Sequence, residues 1–466
     1  MFNHFVVKMK LRPAGPKIKF TIILNQMSRT YRDPIHKEIQ LDSEDKAENL
    51  IIALIDTKEM QRLRWIRQLG TGWFTFHGAE ASRFPHSLGT MHVARLMFEK
   101  LTKEMDLEPT LKDEYKALVL SSALLHDLGH APFSHSSEAI NNIKHEIWTE
   151  KIIASPETEV NQVLERFEPG FSEKVISVLK KTYPVKFLSS IVTSQLDCDR
   201  FDYLLRDSFH TGTAYGNFDL TRVINSITVN PLYDCLVVSG EKGMLAVEDY
   251  LYARYSMYMQ VYQHKKCLAS DSLLLKLFKR VKLLIRNRRI AFIETPVFDW
   301  VSQPEKLSLD NFLQLDDTLI IHHIKRWANE QDVVLKDLAK RFMSRKIFKA
   351  EKILKDASIE DVQAEKSKEL MKQNLDPDYY LDTISIANKP YSFYNPDSSD
   401  YQKAIFVATD DGKLEEISKI SHVVKSLVSN EFTSNWLIYA DLDLSNLSSS
   451  SSSATRFNNN SRVTPI

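Results

Sequence analysis

The sequence predicts a mainly α-helical core with a small β-hairpin, followed by a smaller mixed α/β region. From about residue 48 to about residue 284, apolar residues recur at helical spacing in a series of segments. Two β-rich runs interrupt this series, and further β-rich runs follow residue 380. A chain of 466 residues is too long for one simple core, so more than one structural unit is expected.

The helical segments are predicted from apolar periodicity and from the glycines that follow some of them. Residues 47–69 carry apolar positions at helical spacing and end at Gly70, and the strongly apolar segment 114–128 stops at Gly129. The remaining helices of the core are predicted at 87–101, 161–180, 188–207 and 250–284.

The β-rich runs predict one hairpin in the core and a few strands after it. The runs at 227–229 and 235–238 indicate a hairpin within residues 226–248. After residue 284 the pattern predicts an amphipathic helix at 331–355, strands at 383–386, 404–408 and 436–440, and a helix at 413–427.

Composition divides the chain into four parts. Residues 1–32 are predicted to be a flexible basic leader, although translation could also start at Met27. Residues 33–285 form the predicted core and residues 286–444 the predicted C-terminal helical and mixed region. Residues 445–466 are rich in serine and asparagine, a composition that builds no core, so a disordered tail is expected.

Charge and cysteine content exclude several classes of protein. The 61 lysines and arginines balance the 61 aspartates and glutamates, which argues against a chain that mainly coats nucleic acid or an acidic membrane. Cys198, Cys235 and Cys267 form no CxxC pair, so we expect a reducing, cytoplasmic environment rather than a disulfide framework. No apolar run is long enough to span a bilayer.

The segment His126-Asp-Leu-Gly-His-Ala-Pro-Phe-Ser-His135 is the most informative in the chain. Imidazole and carboxylate both ligate Zn, Fe and Mn, so the adjacent His126 and Asp127 can share one metal ion. Further histidines beside them suit proton transfer. Alone, such a pair is more often a capped helix end or a satisfied core pair than a metal site. The segment therefore indicates metal-assisted hydrolysis, provided that other elements supply ligands.

Such ligands exist on both sides of the pair. His86 lies at the start of a predicted helix upstream. Downstream, Asp197, Asp199, Asp202 and Asp207 share one predicted helix at mixed spacing, so not all of them can face one site. Because an unpaired buried carboxylate is costly, those that are buried must meet cations or donors.

The order His86, His126-Asp127, Asp199 resembles the H…HD…D signature of the HD-domain metal phosphohydrolases. The resemblance extends to the deoxynucleoside triphosphate (dNTP) triphosphohydrolases, including the HD domain of their sterile-alpha-motif members and the bacterial homologues. The blocks that resemble that family, in order, are residues 56–70, 83–89, 126–135, 197–207 and 262–265.

The resemblance implies a reaction and a metal centre. His86, His126, Asp127 and Asp199 would ligate a divalent transition metal, Fe, Mn or Zn, with Mg²⁺ accompanying the triphosphate. A metal-activated water would attack the α-phosphorus and release a deoxynucleoside and intact triphosphate.

The resemblance also implies roles for the neighbouring side chains. His135 is the first candidate for the general acid. His130 would lie beside the α-phosphate, with Glu138, an aspartate in close relatives, as its partner, and His145 would lie near the phosphates. The alternative for the three histidines is helix capping or support of the metal ligands.

A substrate pocket can be carried over in the same way. Arg83 and Arg254 would pair with phosphate oxygens, and Arg200 replaces a lysine of close relatives. On the sugar side the resemblance implies Gln68 and Leu69 near the 3′-OH, Tyr203 against the position of a 2′-OH, Asp207 accepting from the 3′-OH and Tyr262 as a wall. For the tyrosines, an aromatic core stripe is the alternative.

Regulation and assembly follow only from the resemblance. Asp56, Gln61 and Arg64 match residues that bind an activating guanine nucleotide in allosteric members, which are commonly homo-oligomers, dimers or tetramers. A solvated helix face is the alternative. The sequence departs from the family at two positions: Lys37 replaces a glycine of the family block, and Tyr258 replaces a histidine of close relatives.

The sequence also fits two other functions. Another HD phosphohydrolase would act on a nucleoside monophosphate, a cyclic nucleotide or a guanosine alarmone, since metal-site chemistry is shared and the pocket decides the substrate. A nucleotide-regulated protein that binds nucleic acid without turnover is the non-enzymatic alternative, which the zero net charge does not favour.

Overall fold

A computed structural model describes residues 28–232, 234–388, 404–409, 412–429 and 432–441. The predicted tail and residues 1–27 of the predicted leader lie outside these ranges. The prediction of a flexible leader is wrong for residues 28–32. They belong to strand β1, Ser28–Asp33, which pairs antiparallel with β2, Lys37–Asp42.

The described chain is mainly helical, as predicted. The first helices are α1 Lys46–Ile55, α2 Lys58–Arg62, α3 Arg83–Thr102, α4 Pro109–Leu125, α5 His135–Asn141, α6 His145–Ala154, α7 Glu159–Phe167 and α8 Phe171–Leu179. They are followed by α9 Lys186–Val192, α10 Cys198–Thr211, α11 Leu220–Ser226, strands β3 Ile227–Asn230 and β4 Cys235–Ser239, α12 Gly240–Met257 and α13 Lys265–Arg286.

The C-terminal region mixes helices and strands, again as predicted. It contains α14 Thr295–Ser302, α15 Leu309–Leu313, α16 Asp317–Trp327, α17 Val333–Met343, β5 Lys349–Lys352, α18 Ile359–Lys372 and α19 Pro377–Tyr380. The last elements are β6 Leu381–Asn388, β7 Phe406–Ala408, β8 Leu414–Glu416, α20 Ile417–Ile420, α21 His422–Ser429 and β9 Phe432–Tyr439. Short 3₁₀ turns occupy Leu63–Trp65, Gly72–Phe74 and Pro304–Lys306.

Several long helices predicted from periodicity are broken in the structure. Segment 47–69 divides at Thr57, whose extended backbone begins α2 and whose hydroxyl donates to Leu54 O at 2.7 Å. Segment 161–180 divides at Gly170, which has a φ of 83°. Segment 188–207 divides where Asp197 caps α10. Apolar periodicity continues through these breaks because both halves face the same core, so periodicity alone did not reveal them.

The other predicted long helices are also interrupted. Segment 250–284 contains a π-helix, Tyr258–Tyr262, and His264 then caps α13. The segment predicted as one helix over 331–355 forms α17 and strand β5, separated by Arg345 at a φ of 56°. The segment predicted as one helix over 413–427 forms β8 and two short helices.

The sheets join the C-terminal region to the core. The predicted hairpin, β3 with β4, is confirmed, and β4 also pairs in parallel with β7, which pairs with β8. A second sheet has the order β5-β9-β6 and is antiparallel throughout. One continuous set of buried apolar side chains runs through both parts of the chain. The C-terminal region is therefore packed against the predicted core rather than separate from it.

Candidate active site

Four side chains from three helical elements converge on one point. His86 lies in the first turn of α3, His126 and Asp127 follow the buried end of α4, and Asp199 lies in the first turn of α10. The Nε2 of His86 is 3.2 Å from Asp199 Oδ1 and 3.5 Å from Asp127 Oδ2. The Nε2 of His126 is 3.3 Å from Asp127 Oδ1 and 3.5 Å from Asp199 Oδ1. The predicted metal ligands thus lie together.

The donor set fits a divalent transition metal. Two imidazole nitrogens and two carboxylates suit Fe, Mn or Zn. The Nδ1 of each histidine is engaged, His86 with Asp202 Oδ2 at 2.8 Å and His126 with Ala123 O at 2.8 Å, which leaves both Nε2 atoms facing the centre. The Nε2 of His126 is buried and makes no hydrogen bond to any described residue. A cation would satisfy this atom.

The electrostatics of the four residues agree with a cation site. Burial opposes the charged form of His86, but Asp199 and Asp202 raise its pKa to about 10. Burial likewise opposes charging of His126, whose pKa is nevertheless raised by Asp127 and Asp199. Burial opposes ionisation of Asp199, but the adjacent imidazoles of His126 and His86 lower its pKa. Protons on the two histidines therefore supply the positive charge that a bound cation would replace.

A buried ionic network holds His86, and sequence reasoning missed its role. Arg206 donates through Nε and Nη2 to Asp202, both at 2.8 Å, and through Nη1 to Asp33 at 2.8 Å. The Nε2 of His36 is 2.7 Å from Asp202 Oδ1. The expectation that buried carboxylates must meet donors is confirmed here. Arg206 lies four residues after Asp202, a spacing that could have predicted the pair.

A second group of side chains, His130, His135, Glu138 and His145, lies beside the metal ligands. The rings of His130 and His145 stack at 3.8 Å, and His130 Nε2 is 3.3 Å from Asp127 Oδ1. Glu138 Oε1 accepts from His145 Nδ1 at 2.6 Å and lies 3.4 Å from His135 Nδ1. The prediction that Glu138 partners His130 is therefore wrong, because His130 faces Asp127 instead.

Burial and charge separate the members of this group. Burial and the nearby Arg83 and His145 keep the pKa of His130 well below its ordinary value, so this imidazole is neutral at physiological pH. Burial opposes ionisation of Glu138, but hydrogen bonds from His135 and His145 lower its pKa. The His135 side chain is 70% exposed, whereas that of His130 is 1% exposed. His135 therefore has access to solvent protons, and His130 does not.

Of the three predicted phosphate-binding arginines, Arg83 and Arg200 line the cavity at the metal ligands, and Arg254 is not among the lining residues described. Arg83 donates through Nη1 to Asp127 and through Nε to Ser134 Oγ at 2.8 Å. Arg200 donates to Asp197 and to Ser194 O. Arg254 Nη1 donates to Gln195 Oε1 at 2.8 Å. Each guanidinium therefore already has an acceptor within the chain.

The predicted sugar-side residues lie in the same cavity, which has a volume of about 700 Å³. The hydroxyl of Tyr262 donates to Asp207 Oδ2 at 2.9 Å, and the rings of Tyr203 and Tyr262 meet edge-on at 6.2 Å. The π-helix contributes both Tyr258 and Tyr262 to the wall, a feature that periodicity could not predict. Gln68 and Leu69 also line it. The tyrosines therefore face a cavity rather than forming only a core stripe.

Asp207 gives the first testable prediction. Burial raises its pKa to about 7 although Tyr262 donates to it, so the unfolded chain ionises first as the pH rises. The contribution of Asp207 to the free energy of unfolding is therefore full at low pH and is lost between about pH 4 and pH 7. Asp207→Asn should therefore gain stability over the wild type by about 1.4 kcal/mol per pH unit in that window.

Denaturant unfolding at pH 5 and pH 7 measures this difference. The exposed Asp356→Asn is the matched control and should follow the wild type. An Asp207→Asn offset that is the same at both pH values would contradict the assignment.

The predicted regulatory residues lie outside the cavity. Asp56 Oδ1 accepts from Arg29 Nη2 at 2.7 Å, and Gln61 Oε1 accepts from Arg64 Nε at 2.7 Å. The guanidinium of Arg64 lies over the ring of Phe84 at 3.6 Å. Asp56 and Arg64 are exposed, so these side chains are held by local partners on the surface. Lys37, in place of the family glycine, adopts the left-handed region with a φ of 67°.

Comparison with known proteins agrees with this geometry. The profile of the HD domain matches residues 83–180, the stretch that carries His86, the His126-Asp127 pair and the histidine group. The Bacillus subtilis protein YwfO is 38% identical over 411 residues, which cover 88% of this chain and 92% of that protein. The chain belongs to the HD-domain family.

Two further similar proteins bear on the chemistry. A crystal structure of a phosphohydrolase from Bacteroides thetaiotaomicron superposes with a TM-score of 0.75 at 27% identity, covering 89% of this chain and 100% of that one. The human deoxynucleoside triphosphate triphosphohydrolase SAMHD1 is 30% identical over 271 residues, 51% of this chain and 42% of that protein. The match thus spans less than half of the human enzyme.

Membership of the HD-domain family supports a metal-binding hydrolase, in agreement with the clustered donors. None of the helices in the described part of the chain combines the length and hydrophobicity that a bilayer crossing requires.

Proposed function

We propose that this HD-domain protein hydrolyses dNTPs to a deoxynucleoside and triphosphate in a metal-dependent reaction. The observation that carries the proposal is a single cavity lined by the metal donors, by His130, His135 and His145, and by the sugar-side residues. The likeness to a dNTP triphosphohydrolase over 51% of this chain supports it.

His86, His126, Asp127 and Asp199 would hold the metal, which when bound supplies Lewis acidity and lowers the pKa of a coordinated water. Arg83 braces Asp127 through its Nη1 contact and so fixes one of these ligands. The apolar and aromatic lining limits the access of water to the sugar end.

Proton transfer falls to the exposed His135. A leaving 5′-oxygen needs a proton, and His135 is the member of the histidine group that is open to solvent. Glu138 lies 3.4 Å from its Nδ1 and orients the ring. The buried His130 is neutral and has a single N–H, and its Nε2 lies 3.3 Å from Asp127 Oδ1, so His130 supports this metal ligand. His145, held by Glu138, stacks on His130 and keeps its orientation.

Sugar selection falls to Tyr203, Asp207 and Tyr262. The Asp207 carboxyl and the Tyr262 hydroxyl form a polar pair at 2.9 Å, which can engage a 3′-OH. The Tyr203 ring beside them would occupy the space of a 2′-OH. An unsatisfied or clashing hydroxyl in a closed pocket is strongly disfavoured.

We therefore expect Tyr203→Ala to reduce the preference for dNTPs over ribonucleoside triphosphates by about tenfold or more, because the ring that excludes the 2′-OH is gone. The ratio of kcat/KM for dGTP and GTP measures this effect. Tyr203→Phe keeps the ring and is the matched control, so it should retain the preference. Equal preference in the wild type and Tyr203→Ala would show that another group selects the sugar.

The reaction itself is tested by incubating the protein with each dNTP and Mn²⁺ or Mg²⁺ and separating the products by chromatography. The proposal expects a deoxynucleoside and intact triphosphate. Release of monophosphate and pyrophosphate, or turnover of cyclic nucleotides or guanosine alarmones alone, would reject it in favour of another HD phosphohydrolase reaction. We also propose, from the resemblance alone, a homo-oligomer whose activity responds to a guanine nucleotide at Asp56, Gln61 and Arg64.

A further inference from the structure

The start of helix α16, in the C-terminal region, carries a buried carboxylate that contacts two loops of the active site. Asp317 is 2% exposed and lies in the first turn of this helix. Its Oδ1 accepts from the backbone N–H of Phe133 at 2.8 Å, and its Oδ2 accepts from the backbone N–H of Arg67 at 3.0 Å. One side chain thus binds two loops that are distant in sequence.

Both loops carry residues of the proposed reaction. Phe133 precedes the proposed general acid His135 by two residues. Arg67 directly precedes Gln68 and Leu69, which line the sugar side of the cavity. The Asp317 carboxylate therefore connects the turn that carries His135 to the segment that carries Gln68 and Leu69.

The turn that Asp317 holds has a strained backbone. Phe133 and Ser134 are consecutive non-glycine residues with φ values of 59° and 56°. Such conformations persist only where surrounding contacts fix them, and they concentrate at functional sites. Here Asp317 fixes the Phe133 amide, while the Ser134 hydroxyl donates to Arg67 O at 2.6 Å. The two loops are thereby joined to each other as well as to Asp317.

The same contacts reach the metal ligands. Arg83 Nε donates to Ser134 Oγ at 2.8 Å, and its Nη1 donates to Asp127. A displacement of the strained turn would therefore move the guanidinium that braces Asp127.

A second contact fixes the segment that precedes Asp317. The buried Arg62 donates through Nη2 to Leu315 O at 2.8 Å and to His130 O at 2.9 Å, and through Nε to Leu315 O at 3.1 Å. Leu315 is completely buried. The segment that holds Leu315 and Asp317 is therefore attached to the HD-domain segment by two sets of hydrogen bonds.

We propose that Asp317 is a positioning residue, supplied by the C-terminal region, that holds the turn bearing His135 in register with the segment bearing Gln68 and Leu69. The inference deepens the proposed function and rests on it for the activity measurements. It assigns the C-terminal region a part in building the active site.

Asp317→Asn tests the inference, with Asp316→Asn as the matched control. The asparagine retains one acceptor oxygen and turns an NH₂ towards the other amide, so one loop loses its acceptor. Asp316 caps the same helix through Leu319 N at 2.8 Å. We expect Asp317→Asn to lower kcat for dGTP at least about tenfold and to raise KM several-fold with unchanged metal content, and Asp316→Asn to stay within about twofold in both.

Hydrogen exchange gives a measurement that needs no turnover. At least one of the two peptides that contain the Phe133 and Arg67 amides should exchange faster in Asp317→Asn, and both should exchange at the wild-type rate in Asp316→Asn. If the Asn variant does not fold, Asp317→Ser keeps one acceptor and should show the same changes. If the wild type fails to hydrolyse dNTPs, the exchange result alone decides the proposal.

Three results would overturn the inference. They are unchanged exchange at both amides, unchanged kcat and KM in Asp317→Asn, or equal losses in both variants that only follow their melting temperatures. The last would show that Asp317 stabilises helix α16 and positions nothing.

Discussion

His126→Ala is expected to lower metal-dependent hydrolysis by about a thousandfold or more while the protein stays folded. The side chain supplies an Nε2 atom that is buried, faces Asp127 and Asp199, and hydrogen-bonds to no described residue. Loss of one of four ligands removes a metal contribution of several kcal/mol, and each 1.4 kcal/mol corresponds to a factor of ten in rate. Asp127→Ala is expected to have the same effect.

The matched control for this variant is His77→Ala, which removes an exposed histidine. It should keep wild-type activity and melting temperature. Circular dichroism of His126→Ala should show a folded protein, because the residue ends α4 and the buried apolar positions of that helix are untouched. Full turnover in purified His126→Ala would count decisively against the metal site.

Gly89→Ala is expected to weaken metal binding through a residue that touches neither metal nor substrate. A Cβ at this position would lie 1.9 Å from Asp202 Oδ1 and 2.3 Å from Arg206 Nη2. Both side chains are fully buried, so the ion pair must shift or break. His86 then loses the Asp202 contact that orients its ring. We expect a 10- to 100-fold loss of metal affinity and a destabilisation of about 3 kcal/mol.

Metal titration and denaturant unfolding measure these two effects. Glu99→Ala replaces an exposed residue of the same helix α3 and should leave both quantities unchanged. A Gly89→Ala protein with wild-type metal affinity would mean that Asp202 does not orient His86.

The sequence predicted that the four candidate metal ligands lie together, because imidazole and carboxylate side chains identify such candidates by residue type. His86, His126, Asp127 and Asp199 occur beside helix ends, and in the structure their ligand atoms approach one another at 3.2 to 3.5 Å. The resemblance to a known family then indicated which other side chains surround them. The same reasoning also predicted that buried aspartates of α10 must meet donors, which the structure confirms.

The parts that the sequence did not predict depend on three-dimensional contact. The partner of Glu138 was wrongly predicted because His145 comes from another helix, α6, and its approach depends on how that helix packs. The π-helix that brings Tyr258 and Tyr262 to one wall leaves no trace in apolar periodicity. The role of Asp317 was invisible for the same reason, since it lies 184 residues from the amide it binds.

The predicted helix boundaries are wrong where helix caps interrupt a continuous apolar pattern. Asp197 begins α10 by accepting from Arg200 N at 2.9 Å, and this cap turns Asp199 into the first turn of the helix, where it meets both metal-binding histidines. A single helix over 188–207 would lack this cap. The break at Asp197 therefore helps to place Asp199 beside the two histidines.

Elemental analysis of the purified protein, after loading with Mn²⁺, Fe²⁺ or Zn²⁺ and removal of the excess, tests the central claim most directly. We predict about one tightly held transition metal per chain in the wild type and in His77→Ala, and none in His126→Ala or Asp127→Ala. A wild-type protein that retains no metal under any loading condition, or variants that retain as much as the wild type, would contradict the account.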